Sequence, residues 1–213
     1  MALVSSNDRA KRKMALIAYV LFLLIVVIGK LILQYYKTGD CGLRPITARS
    51  PIISIIPSVL LILSFVTTFS LATMEAFGKF ESQVRLNAFG TILGILFCAI
   101  GITIASISQH QMESSWRIGV DESEKTKLVT HGLYSYVRNP IYCGVILFGM
   151  GLLILIPHTL MLVGLFLGYL SIELQVRYVE EPYLLRLHGE TYERYSRKVK
   201  RYFPNVFHKT KKL

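Results

Sequence analysis

The stretches Pro51–Thr73, PIISIIPSVLLILSFVTTFSLAT, and Leu86–Ser108, LNAFGTILGILFCAIGITIASIS, decide the fold of this chain. Each runs for more than twenty residues without a charged side chain. A helix of about 20 apolar residues is long enough to cross a hydrocarbon core of roughly 30 Å. A helix on the surface of a soluble protein would carry a polar face, and neither stretch has one. The two stretches therefore predict membrane-spanning helices.

Further apolar stretches lie on either side of these two. Met14–Tyr36 predicts a first span, and its Lys30 can extend toward the interface from near the end of the helix. Ile141–Ile172 is longer and is divided by Pro157-His158, which indicates two antiparallel helices joined by a turn. Two ordinary spans with extended ends are the alternative. Under both interpretations the C-terminal tail leaves the membrane on the same side. The expected fold is all-α: a polytopic membrane protein of about five transmembrane helices, the last two forming a helical hairpin, with a cytoplasmic C-terminal amphipathic helix.

The composition excludes two kinds of binding site. The net charge of +11 would suit the binding of nucleic acid. The basic clusters Arg9–Lys13 and Arg197–Lys212 flank apolar segments, however, where basic residues contact anionic lipid headgroups and orient the chain in the membrane. Cys41, Cys98 and Cys143 lie far apart and have no metal-ligand spacing. We therefore expect neither nucleic-acid binding nor a metal site.

The charge distribution also predicts the orientation of the chain. Nine basic residues against four acidic ones between Glu180 and Leu213 place the tail in the cytoplasm. Because the hairpin returns to its side of entry, the polar connector Gln109–Arg138 is expected there too, and three crossings put the N-terminus outside. The basic cluster Arg9–Lys13 favours the opposite orientation. We give more weight to the tail, so an integral, multi-pass protein with its polar segments in the cytoplasm is expected.

Two polar segments differ from the ordinary flanks of membrane helices. They are Leu128–Gly144, LVTHGLYSYVRNPIYCG, and Glu180-Glu181 followed by Gly189–Tyr195, GETYERY, and ending in Arg201–Pro204, RYFP. Pro140 suits the first turn of a helix, and Asn139 before it can act as the N-cap. The backbone donors there, with the preceding arginine, would form a polar mouth for a ligand at the membrane surface. A capped helix with interfacial aromatic anchors is the plainer interpretation of the same residues.

The adjacent carboxylates of Glu180 and Glu181 also have two interpretations. Arg177 lies three and four residues before them, which is the spacing of an ordinary helical ion pair. Carboxylates in this position can also hold the ribose diol or amino group of a cofactor. Tyrosine rings nearby could attract a sulfonium cation.

In combination, these segments resemble the isoprenylcysteine carboxyl methyltransferase family and the related phospholipid N-methyltransferases. The shared pattern is Leu-Val, Gly-x-Tyr, Arg-His-Pro-x-Tyr-x-Gly, a hairpin, and Glu-Glu before Gly-x-x-Tyr-x-x-Tyr. Both halves occur in order over about Trp116–Pro204. The resemblance implies that residues 109–213 form a methyltransferase core of connector, hairpin and tail, preceded by three transmembrane helices in residues 1–108.

The resemblance also implies S-adenosyl-L-methionine as the cofactor. The contacts that it implies are Thr126, Lys127, Leu128, Val129, Tyr134, Asn139, Pro140, Ile141, Tyr142 and Glu180. Asn139 replaces the family's histidine, so this side chain can hydrogen-bond but cannot titrate near neutrality. The arginine expected about four residues before the first glutamate falls at Val176, and the adjacent Arg177 is the shifted candidate for binding a substrate carboxylate.

The candidate catalytic residues are therefore Arg177, Glu180 and Glu181. A carboxylate acceptor is already ionised and needs no base, whereas an amine or phenol acceptor would lose a proton to a glutamate or to water. The resemblance favours carboxyl O-methylation of an isoprenylcysteine-like acceptor, lipophilic or prenylated, that reaches the site among membrane lipids. The alternatives are a phospholipid or other lipid methyltransferase, an NADPH-dependent enzyme similar to the sterol reductases, and a non-enzymatic membrane scaffold.

Overall fold

The protein was examined as a computed structural model, which describes residues 6–42, 52–84, 87–116 and 126–204. The first span contains α1 (Ser6–Phe22), a π-helical segment (Leu23–Gly29) and α2 (Lys30–Thr38). The remaining helices, in order, are α3 (Ile52–Ala76), α4 (Ala88–Gln111), α5 (Pro140–Leu155), α6 (Thr159–Gln175), α7 (Glu181–His188) and α8 (Glu190–Lys198).

Within the described residues, four helical stretches are long and apolar enough to cross a membrane: Ala10–Thr38, Ile52–Ala76, Ala88–Gln111 and Thr159–His188. The shorter apolar α5 is the first arm of the predicted hairpin. The all-α polytopic fold predicted from the sequence is thus confirmed. The second arm does not end at Ile172, however, because α6 passes through a π turn, Val176–Glu180, into α7. Arg177 and Glu181 in this extension have ion-pair partners, and Glu180 accepts a hydrogen bond from Tyr142, so the helix can continue.

The two arms of the hairpin pack on different helices. Arm α5 lies along α4, and arm α6 lies along α3. The backbones of α4 and α5 approach closely, since a Cβ on Gly101 would come within 2.5 Å of the Phe148 amide nitrogen and 2.6 Å of the Gly144 carbonyl oxygen. Gly94 and Gly151 lie in the same interface. Small residues allow such close approach of membrane helices, and here they join the N-terminal spans to the hairpin.

The far end of the bundle is closed by the turn of the hairpin. The backbone amide of Gln83 donates to the Pro157 carbonyl oxygen at 3.1 Å, and the Gln83 side chain accepts from Thr159. The His158 ring caps α6 by accepting from the Leu160 amide. Arg12 pairs with Glu81 at the same end. The polar segments therefore gather at the opposite end, which we call the site end.

Candidate active site

A cavity of about 930 Å³ lies between the two helix pairs and opens at the site end. Its long inner part is apolar and runs between α5 and α6, with α1 and α3 completing the wall. Its outer part is lined by polar and aromatic side chains from the connector, the start of α5, the π turn, α7 and α8. One cavity therefore joins a polar mouth to an apolar arm inside the bundle.

Glu180 and Tyr142 meet where the mouth joins the arm. The Tyr142 hydroxyl donates to Glu180 Oε1 at 2.5 Å, and both side chains line the cavity. Pro140 begins α5 and places Tyr142 in its first turn, whereas the π turn at the end of α6 carries Glu180. Such wide turns are frequent at functional sites. The bond brings together the two polar segments on which the sequence analysis depended.

Glu181 is the centre of an ion-pair cluster. Arg138 donates to its Oε1 at 2.7 Å, and Arg201 donates to both oxygens at 2.8 and 2.6 Å. Arg201 also reaches Glu173 at 3.3 Å. These hydrogen bonds, with that to Glu181 foremost, raise the pKa of Arg201. Glu181 is therefore held by two arginines, whereas the adjacent Glu180 bonds to a tyrosine.

The segment after α8 closes over the start of α5. The Arg138 and Asn139 amides donate to the carbonyl oxygens of Lys200 and Arg201 at 2.8 and 3.1 Å, beside a bridge between Val137 and Lys200. We call residues 199–204 the strap. The strap and the ion pairs of Glu181 fix the mouth from the C-terminal side.

Asn139 keeps an unused donor at the mouth. It occupies the N-cap position of α5, but its side chain makes no capping hydrogen bond, contrary to the sequence-based expectation. Among the described residues none accepts a hydrogen bond from its buried Nδ2, and the same is true of Arg138 Nε. A buried donor without a partner is costly, so a ligand that accepts from it would be favoured.

Tyrosine rings form much of the remaining mouth. Tyr134, Tyr183, Tyr192 and Tyr195 line it, and the Tyr195 hydroxyl donates to the Tyr134 carbonyl oxygen at 2.6 Å. Burial raises the pKa of Tyr134 and of Tyr195, and raises the pKa of Tyr192 to about 12. These phenols therefore stay protonated near neutrality, and they offer neutral aromatic faces and hydroxyl donors.

The connector supplies the wall opposite the tyrosines. The Lys127 amide donates to the Ser115 hydroxyl at 3.2 Å, and the Thr126 hydroxyl lies 3.5 Å from that of Tyr183. Trp116 is buried against Gly42 and lies beneath the Lys30 ammonium, 5.2 Å from its ring centroid. The first span thereby supports the connector.

Several known proteins are similar to this chain. The sequence profile of a family described as phospholipid methyltransferase matches residues 89–191. The protein-S-isoprenylcysteine O-methyltransferase of Schizosaccharomyces pombe is 37% identical over 114 residues, which are 50% of this chain and 45% of that protein. A probable protein-S-isoprenylcysteine O-methyltransferase of Oryza sativa subsp. indica is 26% identical over 160 residues, 74% of this chain and 81% of that protein.

The chain is thus similar to phospholipid methyltransferases over residues 89–191 and, over larger stretches, to proteins named as protein-S-isoprenylcysteine O-methyltransferases. A solved structure of a eukaryotic intramembrane Ras methyltransferase, an isoprenylcysteine carboxyl methyltransferase, has a similar fold, with a TM-score of 0.57 at 22% identity. That likeness covers 91% of this chain and 64% of the solved one. The chain thus spans less than half of the S. pombe relative and about two thirds of the solved structure.

Most of the residues that the family resemblance implied for the cofactor surround the cavity. Those lining it are Thr126, Lys127, Leu128, Val129, Tyr134, Asn139, Ile141, Tyr142 and Glu180, together with Glu181. Pro140 is fully buried behind this wall. Arg177 is not among the lining residues; its side chain is 51% exposed and pairs with Glu173 at 3.2 Å. The geometry therefore brings the glutamates and the connector together and leaves Arg177 outside.

Other residues of the site were not singled out from the sequence. Tyr192 and Tyr195 lie in the segment Gly189–Tyr195, and Arg201 lies at the end of the same polar segment, but the sequence predicted no role for any of the three. Tyr183 was expected only on a face of the amphipathic tail. A family alignment would have been needed to separate these residues from the surrounding charges and aromatic residues.

The strap gives a first prediction, because Arg201 holds Glu181 with two hydrogen bonds. We expect Arg201→Ala to weaken the packing of the strap on α5. The Arg138 and Asn139 amides should then exchange their hydrogens about tenfold faster or more, because hydrogen bonds to a charged group stabilise by roughly 1.5–3 kcal/mol. Hydrogen-exchange mass spectrometry of the peptide around these amides measures the change.

The matched control is Arg197→Ala in the preceding helix. Arg197 is 80% exposed and has a single ion pair of 3.5 Å with Glu193, so its loss should change exchange very little. Equal protection of the amides in Arg201→Ala and in the unaltered protein would show that the strap does not depend on Glu181.

Proposed function

We propose that the chain is an integral membrane methyltransferase that uses S-adenosyl-L-methionine and esterifies the carboxylate of an S-prenylated cysteine. The Tyr142–Glu180 pair carries the proposal, because it lies where a polar mouth meets an apolar arm of the same cavity. The names of the S. pombe and rice relatives support the same acceptor. A site built in this way can hold a polar cofactor beside the end of a lipid chain.

The residues present fit S-adenosyl-L-methionine, which supplies an activated methyl group when it is bound. Glu180 offers a carboxylate to the hydroxyl or ammonium groups of the cofactor, and the unused Nδ2 donor of Asn139 suits its carboxylate. The rings of Tyr134 and Tyr192 line the same mouth and can attract a sulfonium. The backbone and side chains of residues 126–129 would complete the cofactor wall.

For methyl transfer to a carboxylate, the main contribution required from the protein is to position the reacting groups. The acceptor oxygen is ionised at neutral pH, so no residue has to remove a proton. The protein supplies orientation and exclusion of water, and orientation alone can account for much of a rate enhancement. We propose that the apolar arm holds the prenyl chain and thereby brings the acceptor carboxylate to the mouth.

Arg177 is placed less well for binding that carboxylate. Val176, the position of the family's arginine, is completely buried, and Arg177 points toward Glu173 instead. Arg138 lines the mouth and keeps an unused Nε donor. We therefore propose Arg138 as the cation nearest the acceptor carboxylate, with the contribution of Arg177 confined to pairing with Glu173.

We also propose that the site end faces the cytoplasm. By the order of the spans, seventeen of the 24 Lys and Arg residues lie toward the site end, six lie toward the far end, and Lys30 lies between the ends of the first span. Basic residues in short loops favour the cytoplasmic side. The cluster Arg9–Lys13 is thus outweighed by the rest of the chain.

Calorimetry on the purified protein in detergent tests the cofactor. We expect S-adenosyl-L-methionine to bind and NADPH not to bind. Binding of NADPH in its place would support a reductase, and binding of neither would support a scaffold.

Transfer of a labelled methyl group tests the acceptor. N-acetyl-S-farnesylcysteine and phosphatidylethanolamine should be offered separately, and the product treated with mild alkali. We expect label on the prenylcysteine that alkali releases as methanol, since a methyl ester is base-labile and an N-methyl group is not. Label on phosphatidylethanolamine that survives alkali would replace the proposal with phospholipid N-methylation.

A further inference from the structure

The apolar arm of the cavity has a closed inner end. Its lining runs along α5 from Ile141 to Leu153, a rise of about 18 Å at about 1.5 Å per residue. On the other helices the lining stops at Tyr19, Thr68 and Leu162. A chain that enters from the mouth can therefore extend along most of the hairpin before it meets these side chains.

Beyond that level the bundle is packed solid. Ala15, Ala72, Ile156 and Met161 lie about one turn further along their helices or next to the end of the lining, and each is at most 2% exposed. They belong to one core cluster that includes Tyr19. Close-packed interiors have few voids, so a longer chain finds no room there without displacing side chains.

Tyr19 is fixed firmly at this inner end. Its hydroxyl makes a 2.9 Å hydrogen bond with the Thr68 hydroxyl, which in turn donates to the Ser64 carbonyl oxygen at 2.8 Å. Its ring has edge contacts with Phe65, Phe69 and Phe148, with centroids 5.3–5.8 Å apart. Moving the ring would break the hydrogen bond and all three contacts, so it is a rigid barrier rather than a movable side chain.

We propose that the Tyr19–Thr68 pair is the floor of the acceptor arm and determines the longest prenyl chain that the protein accepts. This inference rests on the proposed function, because it assigns the arm to the prenyl chain. A chain that ends at the floor fills the arm, and one isoprene unit more must bend out between α5 and α6 or displace Tyr19. Tyr19 is thus a specificity-determining residue, far along the helix from the reacting groups.

The test measures binding and methyl transfer separately for S-geranyl, S-farnesyl and S-geranylgeranyl N-acetylcysteine. In the unaltered protein we expect affinity to rise from geranyl to farnesyl and to rise no further, or to fall, with geranylgeranyl. Tyr19→Ala opens the floor, and we expect it to raise the affinity ratio of geranylgeranyl to farnesyl by about tenfold, which is typical for filling a newly opened apolar pocket.

Two further variants keep the test interpretable. Tyr19→Phe retains the ring without the hydrogen bond, so it should keep the unaltered chain preference. Val145→Phe adds bulk midway along the arm, and we expect it to disfavour the geranylgeranyl chain relative to the geranyl chain; this variant covers the case in which Tyr19→Ala does not fold.

The outcomes separate the two proposals. Two results would contradict the proposal that Tyr19 and Thr68 form the floor. One is an affinity that keeps increasing with chain length in the unaltered protein. The other is an equal shift in affinity for all three chains in Tyr19→Ala and in Val145→Phe. Chain-dependent binding without methyl transfer would support the floor and overturn the proposed reaction. Absence of binding by all three chains would overturn the assignment of the arm to a prenyl chain.

Discussion

Replacing Glu180 with glutamine is expected to weaken S-adenosyl-L-methionine binding by about 100-fold while leaving the protein folded. The amide can still accept the Tyr142 hydrogen bond of 2.5 Å, so the local packing is kept and only the negative charge is lost. Removing one charged partner from a buried, hydrogen-bonded pair commonly costs several kcal/mol of binding energy, and about 2.7 kcal/mol corresponds to 100-fold. Calorimetric titration and the thermal midpoint of the same preparation measure the two quantities.

Glu181→Gln is the matched control, because it removes the same charge one residue later. Its carboxylate is occupied by Arg138 and Arg201, so we expect this variant to lower the thermal midpoint and to weaken cofactor binding less than Glu180→Gln does. Cofactor binding of unaltered strength in Glu180→Gln would remove Glu180 from the site. Equal losses of affinity in both variants would mean that the pair acts as one anionic patch.

Replacing Gly101 with valine is expected to have the largest effect on stability. The first added carbon would lie within 3 Å of three backbone atoms, in Gly144 and Phe148, which cannot rotate away. Helices α4 and α5 would have to separate, and overpacking of this kind costs about 3 kcal/mol or more. Thermal unfolding in detergent, followed by circular dichroism, should show a large fall in the midpoint or no folded protein.

Ala99→Val on the same helix is the control for this substitution. Ala99 is exposed on the surface that faces lipid, so the added methyl groups have room there. We expect its midpoint to stay close to that of the unaltered protein. A similar midpoint for Gly101→Val would contradict the close approach of α4 and α5.

The sequence was sufficient for the spans and for much of the mouth, because both depend on local patterns. Uncharged stretches such as Pro51–Thr73 have one stable arrangement in a bilayer, and Pro140 after Asn139 marks a helix start. The position of Tyr142 and Glu180 on either side of a hairpin then places them at the same end. That these two side chains share a hydrogen bond is a direct consequence of topology.

What the sequence did not predict depends on contacts between distant residues. The continuation of α6 beyond Ile172 requires a partner for Glu173, which Arg201 and the Tyr202 hydroxyl provide at 3.3 and 3.1 Å. Glu181 likewise obtains its partners from distant segments, Arg138 before α5 and Arg201 in the strap. No local sequence pattern near Glu173 predicts these partners. A basic tail has the same composition whether it folds onto the site or is surrounded by water.

The position of Arg177 outside the cavity has a local cause, which the sequence did not reveal either. The π turn Val176–Glu180 places Val176 in the core and Arg177 on the surface. A change from α to π geometry leaves no mark in hydropathy, so the sequence did not show that Val176 is buried and that Arg177 faces outward.

The strap also constrains when the mouth can be completed during synthesis. Lys200 and Arg201 follow all the described spans in the chain, yet their carbonyl oxygens accept the amide hydrogens of Arg138 and Asn139, and the Arg201 guanidinium pairs with Glu181. Until they leave the ribosome, the first turn of α5 lacks these partners. The mouth is thus assembled last, after both arms of the hairpin have been inserted, and a nascent chain halted in the membrane would have its spans in place without a finished site.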